Sequence, residues 1–182
     1  MPYVVTLVTL LSVLCLLNLA LTVGVIRRLR KHSEALATRS DDGHGRQAIL
    51  PEGAVAPPYD TVATDGSTVS RDLITQPVLV GVFSPGCDAC HKAMPDFLAA
   101  AERFPGGPEQ VLAVIVDQKG EAGPLRAELE PVARVVVEDM GGPVTSALEV
   151  QAFPVFALVG GGGGRIMASG LRLTQVFSLT RV

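Results

Sequence analysis

The chain has 182 residues, a net charge of −3, 48% hydrophobic residues and a mean hydropathy of +0.39. So small a charge excludes nucleic acid, or an anionic surface, as a partner held by bulk electrostatics. The three cysteines, Cys15, Cys87 and Cys90, are too few for a disulfide scaffold.

Met1 to Ile26 carries no charged side chain. Residues 4–26 form an apolar run of 23 residues. As a helix rising about 1.5 Å per residue it spans roughly 34 Å, enough to cross a hydrocarbon core of about 30 Å. No basic segment precedes it, it is too long for a signal-peptide core, and no Ala-x-Ala site follows directly. It predicts an uncleaved, single-pass anchor in the cell membrane. Cys15 within it reads as a small apolar packing residue. Residues 27–49 read as a basic juxtamembrane segment, Arg27-Arg28-Leu29-Arg30-Lys31, followed by a polar linker. His32 and His44 in it have no spaced partner for a metal. The positive-inside rule, applied to that basic run alone, puts the following domain in the cytoplasm.

Residues 50–182 are long enough for one domain with its own core. Leu50 to Tyr59 opens it in extended form. Thr61–Thr64 and Ser67–Ser70 flank Asp65-Gly66, which predicts a β-hairpin on a two-residue turn. Asp72 to Thr75 allows at most one helical turn before Pro77. Val78–Phe83 is an apolar, valine-rich run and reads as a buried strand. Ser84-Pro85-Gly86 ends it. Ala93 to Arg103 predicts a helix, with Cys87 at or just before its first turn and Cys90 one turn on. Gln110–Val116 predicts a second buried strand, Asp117 to Gly120 a loop and Pro124–Leu129 a short helix. Ala133–Val137 predicts a third strand and Val144–Glu149 a short helix. Pro154–Val159 and Arg165–Ala168 predict a hairpin turning at Gly160–Gly164, and Leu171 to Arg181 a closing helix. Strands alternating with helices predict an α/β fold: a central mixed sheet flanked by helices, with an antiparallel last pair. The five consecutive glycines lack the Lys-Ser/Thr and the following helix of a phosphate loop, so they read as a loose hairpin turn.

The chemistry lies in Cys87-Asp88-Ala89-Cys90-His91. A cysteine at a helix N-terminus meets unpaired N–H groups and the positive end of the helix dipole, which favour a thiolate. Cys87 is therefore the expected nucleophile and Cys90 the resolving thiol, able to close a redox-active disulfide that needs no other cofactor. Three rival readings compete for these residues. Cys-x-x-Cys-His is also the attachment signature of c-type haem, but a strand running into the motif argues against a haem-enclosing fold. A zinc site needs a second ligand pair, which the sequence lacks. A peroxiredoxin needs a threonine where Ser84 stands. A redox-dependent binding module or copper metallochaperone, holding Cu(I) between Cys87 and Cys90, is the alternative from another functional class.

The strand, the Cys-x-x-Cys, the helix and Pro95, five residues after Cys90, resemble thioredoxin. Phe153-Pro154 before a strand is similar to the cis-proline of that fold. The Ser-Pro-x-Cys-x-x-Cys pattern resembles the membrane-anchored TlpA/ResA-type reductases and their MauD-like branch. The resemblance covers roughly residues 54–182. It implies a thioredoxin-like domain with an N-terminal β-hairpin extension, preceded by a single transmembrane helix. It implies a protein-disulfide reductase acting on exported proteins from the extracytoplasmic side, against the positive-inside signal. Its electrons would come from a membrane electron-donor protein. Apocytochrome c and a disulfide-rich amine dehydrogenase subunit are substrates of such relatives. The implied substrate-binding residues are Phe153 and Pro154, with Pro85, Asp88, Ala89, His91 and Pro95 flanking the thiols and no metal. His91 is expected to be exposed and to tune the thiols electrostatically, and Pro95 to bend the helix mildly.

Three departures matter. Gly81 stands where thioredoxin has a buried acid, so Glu138 and Asp139 are the nearest candidates to replace it. Ala89 replaces a proline in the spacer. Phe153 is bulky and is expected to narrow the substrate groove. The charge of Asp88 opposes a thiolate on Cys87, and a less stabilised thiolate makes a less oxidising couple, which predicts a reductase.

Overall fold

The computed structural model describes residues 3, 7, 10–12, 14, 18 and 47–177. The chain divides into two units, Met1–Arg46 and Gln47–Val182. In the first, Tyr3, Leu7, Leu10, Leu11, Ser12, Leu14 and Asn18 are helical. The rest of the expected anchor, Cys15 and the basic run lie outside the described residues. No helix among the described residues is long and apolar enough to cross a membrane.

In the second unit, β3 (Val78–Phe83) is the centre of a five-stranded sheet, and all six of its residues are buried. It pairs in parallel with β4 (Val111–Val116), and β4 in parallel with β5 (Arg134–Glu138). On its other side it pairs antiparallel with β6 (Val155–Val159), and β6 antiparallel with β7 (Ile166–Gly170). The order is β5-β4-β3-β6-β7. Covered on both faces, β3 and β4 carry continuous valine-rich runs rather than alternating ones, as the sequence leads one to expect.

Successive residues feed two cores. Val80, Val82, Val114 and Val136 face one. Leu79, Phe83, Ile115 and Val135 face the other, beneath α1 (Asp88–Glu102). The remaining helices are α2 (Gly123–Leu129), α3 (Pro143–Ala147) and α4 (Leu173–Phe177). Residues 178–181 of the expected closing helix lie outside the described residues.

The elements depart from expectation in three ways. First, α1 begins at Asp88 rather than Ala93, because the Cys87 sulfur itself serves as N-cap. Second, the hairpin has short strands, β1 (Asp60–Val62) and β2 (Thr68–Ser70), and a wider loop than two residues. Thr64 turns its N–H to the Val135 carbonyl at 2.8 Å, which ties the loop to β5 and pulls it out of its own ladder. Third, the glycine turn is docked. Gly162 N–H donates to the Ile74 carbonyl at 2.8 Å. A Cβ at Gly161 would collide with the Thr75 carbonyl, so glycine is needed for that close approach. The start of the unit covers the other sheet edge, with the Ile166 N–H donating to the Ala54 carbonyl and the Gly53 N–H to the Ile166 carbonyl, each at 2.8 Å.

Candidate active site

The site sits where β3 gives way to α1. The Cys87 N–H donates to the Ser84 carbonyl at 3.3 Å and closes a tight turn. Pro85 and Gly86 are its central residues. Gly86 has φ +72°, which a turn of this kind reserves for glycine. The turn delivers Cys87 in extended backbone at the head of α1. Its sulfur accepts the Cys90 N–H at 3.3 Å, taking one of the four N–H groups that a helix start leaves unpaired. The peptide dipoles of the helix point their positive end at the same atom.

The two thiols have opposite surroundings. Cys87 is half-buried and reachable, whereas Cys90 is 0% exposed. Burial, and then a hydrogen bond with Cys87, push the Cys90 thiol up to about 12, against weaker lowering by a Ser84 backbone hydrogen bond. One thiol is thus offered to a partner and the other is kept protonated beneath it.

The Phe153-Pro154 peptide is cis. The Phe153 carbonyl oxygen lies 3.8 Å from Cys87 Sγ. The Phe153 ring packs against both cores. Asp88, Ala89, His91 and Pro95 are all exposed on α1, so none of them is built into the core. The His91 N–H donates to the Cys87 carbonyl at 3.1 Å. The helix runs on through Pro95, where a missing N–H leaves the His91 carbonyl without its intrahelical partner.

The acids considered as replacements at Gly81 do other work. Glu138 accepts the Thr145 and Val144 N–H groups at 2.7 and 3.2 Å and so caps α3. Asp139 is exposed. Burial comes first among the causes that raise the Cys90 thiol, and neither acid is one of them. The place below Gly81 is filled by an aromatic cluster. A Cβ at Gly81 would come within 2.6 Å of Phe97 Cε2 and 2.9 Å of Phe83 Cε2. The Phe97 ring centroid is 5.0 Å from that of Phe83 and 5.9 Å from that of Phe156.

Beside the thiols opens a cleft of about 260 Å³, lined by Ser84, Pro85, Val116, Asp117 and Met140 among others, with Phe153 on its wall. Asp117 shapes its rim: one carboxylate oxygen accepts the N–H groups of Lys119, Gly120 and Glu121 at 2.9 to 3.0 Å, and the other accepts that of Ala122 at 2.8 Å. These bonds hold its carboxyl below the usual range. The sequence reading missed Asp117 and Met140. They come together because each follows a parallel strand, β4 or β5, as Cys87 follows β3, and ligands of open α/β sheets collect beyond such carboxyl ends. Among the described residues, no group of three or more His, Cys, Asp or Glu side chains could hold a metal.

No protein-family model matches the chain, and no curated protein is significantly similar to it in sequence. Solved structures do match. A thiol:disulfide interchange protein from Bacteroides sp. is 25% identical, with a TM-score of 0.56 over 72% of this chain and 88% of its own. The thioredoxin domain of a thiol-disulfide oxidoreductase from Bacteroides vulgatus is also 25% identical, with a TM-score of 0.56 over 72% of this chain and 96% of its own. The fold is thioredoxin-like. A more distant thioredoxin-like structure, the exposed lipoprotein thioredoxin of Streptococcus pneumoniae, is 21% identical with a TM-score of 0.52 and covers 68% of this chain and 97% of its own. The structural neighbours of this thioredoxin-like domain are thus thiol-disulfide oxidoreductases.

Proposed function

We propose that the protein is a membrane-anchored thiol–disulfide oxidoreductase that reduces disulfides in exported proteins. The observation that carries this is the asymmetry of the thiols: Cys87 half-buried at a helix N-terminus, Cys90 fully buried one turn on. Cys87, as thiolate, attacks a partner disulfide and forms a mixed disulfide. Cys90 then displaces the partner sulfur from Cys87. The partner leaves carrying two electrons, and Cys87–Cys90 closes as a disulfide. An extended partner segment would run beside Phe153, whose carbonyl flanks the reacting sulfur. A membrane electron-donor protein would then return the pair to the dithiol.

An acidic residue, Asp88, in the spacer next to Cys87 is the sequence feature that supports the reducing direction. The apolar run at residues 4–26 supports the anchor, and the TlpA/ResA-like, MauD-like motif supports the extracytoplasmic side.

Insulin reduction by the isolated protein tests the activity: turnover that vanishes in Cys87→Ser is expected, and turnover that survives it overturns the reading. The redox potential tests the direction. A value near that of strong periplasmic oxidants, about −120 mV, contradicts a reductase. Labelling of intact cells with a membrane-impermeant maleimide tests the side. Labelling of Cys87 without lysis is expected, and labelling only after lysis puts the domain in the cytoplasm.

A further inference from the structure

To attack, Cys90 must first lose its proton, and among the described residues no buried carboxylate, imidazole or amine stands beside it to take it. The face of β3 below α1 offers Leu79, Gly81 and Phe83; α1 itself adds Met94 and Phe97. None of these titrates. On its own helix, Asp88 and His91 are exposed to solvent. Across the cleft, the Asp117 carboxylate is occupied by four backbone N–H groups. Lys119 and Glu121 are exposed, and Glu138 is spent on the cap of α3. The one position from which a side chain would point into this layer without a group of its own is Gly81, and the Phe97 ring already fills that space at 2.6 Å.

We propose that the Gly81–Phe97 contact makes release of the partner the slow, base-gated step of this protein, so that at neutral pH it holds its partner as a long-lived mixed disulfide. The inference rests on thiol–disulfide exchange at Cys87, as proposed above. The step balances without a protein base. The Cys90 proton goes to hydroxide from the solvent, Cys90 Sγ bonds to Cys87 Sγ, and the bond from Cys87 to the partner sulfur breaks. Its electron pair leaves on that sulfur, which takes a proton from water. Since the thiolate is the attacking species, the rate follows its fraction. The burial that raises the Cys90 thiol keeps that fraction small through the neutral range. Phe97 touches neither partner nor sulfur chemistry in this scheme; it is a positioning residue that excludes a base.

Rapid mixing of the reduced protein with a symmetric small disulfide separates the two halves, because one thiol is released on attack and a second on resolution. The expected result is that the second release accelerates about tenfold per pH unit between about pH 6 and pH 9, in proportion to the thiolate fraction. A second release that is fast and flat across that range overturns the proposal. The double variant Gly81→Asp/Phe97→Ala supplies a carboxylate and the room for it, and is expected to raise the neutral rate and flatten the profile. Phe97→Leu alone opens space without a base and should keep the wild-type slope. If the double variant fails to fold, the wild-type profile still decides. In Cys90→Ser only the first release remains. Its absence there would refute exchange at Cys87 itself, whereas its presence beside a flat wild-type profile would refute this inference alone.

Discussion

Cys87 and Phe153 lie 66 residues apart in sequence, yet the thiol sulfur of one sits 3.8 Å from the backbone carbonyl of the other. One residue presents the nucleophile, and the other presents a wall of the cleft beside it. The contact is made by main chain, so it survives substitution of the ring, whereas the width of the cleft does not. Phe153→Ala is therefore expected to raise kcat/KM for folded protein disulfides while leaving small disulfides nearly unchanged. Unfolding in urea should show a loss of about 1–2 kcal/mol, less than the roughly 3–5 kcal/mol typical of a fully buried phenylalanine. Equal changes for both substrates would contradict the role of the ring as a wall.

Gly81 tolerates no side chain. Its missing Cβ is what lets the Phe97 edge approach β3, in a cluster already packed edge-on to Phe83. Gly81→Ala should cost about 1–3 kcal/mol through overpacking, read from the shift in the denaturant midpoint. A midpoint within error of the wild type would mean that the ring moves aside freely.

Alkaline pH should weaken the reduced fold. Burial raises Cys90 from an ordinary 9.0 to about 12, and burial likewise raises Tyr59 from 10.0 to about 12. Both groups bind their protons more tightly when folded, so their contribution is complete below the unfolded values. It is lost as pH climbs from about 9 towards 12 for Cys90 and from about 10 towards 12 for Tyr59. Urea midpoints taken at rising pH should therefore fall more steeply for the dithiol than for the disulfide form, in which Cys90 has no proton to lose. The buried Tyr59 hydroxyl has no hydrogen-bond partner among the described residues. Tyr59→Phe should thus leave neutral-pH stability unchanged or raised, and should reduce the alkaline slope.

Asp117 works in the opposite sense. Its carboxyl is held low by the Glu121 and neighbouring N–H groups, so its contribution is present above the usual carboxylate value and is lost as pH falls through its lowered one. Asp117→Ala should free those N–H groups and raise amide hydrogen exchange in residues 119–122 while leaving β3 protected. Unchanged exchange there would contradict its part in shaping the cleft rim.

Much of this was legible in the sequence because it is local. Val78–Phe83 announces a doubly covered strand by composition, and Ser84-Pro85-Gly86 announces its end. Phe153-Pro154 could be matched to a known pattern. The place of Cys87 at the head of α1 was legible from the strand, breaker and motif, whereas periodicity alone started the helix at Ala93, since a sulfur cap follows no Ser/Thr/Asp rule and residues 88–92 carry no helical periodicity. The glycine turn read as loose because its anchor, the Ile74 carbonyl, lies on a distant segment. Glu138 stood in the sequence as a candidate for the buried acid missing at Gly81 and proves to be a helix cap, a role set by where α3 begins. The packing of Phe97 under Gly81 depends on a helix crossing a sheet, and no spacing in the chain encodes it directly.

The most direct test of the dithiol mechanism is capture of a partner on Cys90→Ser. With the resolving thiol gone, incubation with a disulfide-bonded peptide should give a stable adduct whose mass places the peptide on Cys87, and which reductant releases. Cys87→Ser should give none. An adduct absent from Cys90→Ser, or equally abundant in Cys87→Ser, would contradict Cys87 as the nucleophile and with it the dithiol mechanism as a whole.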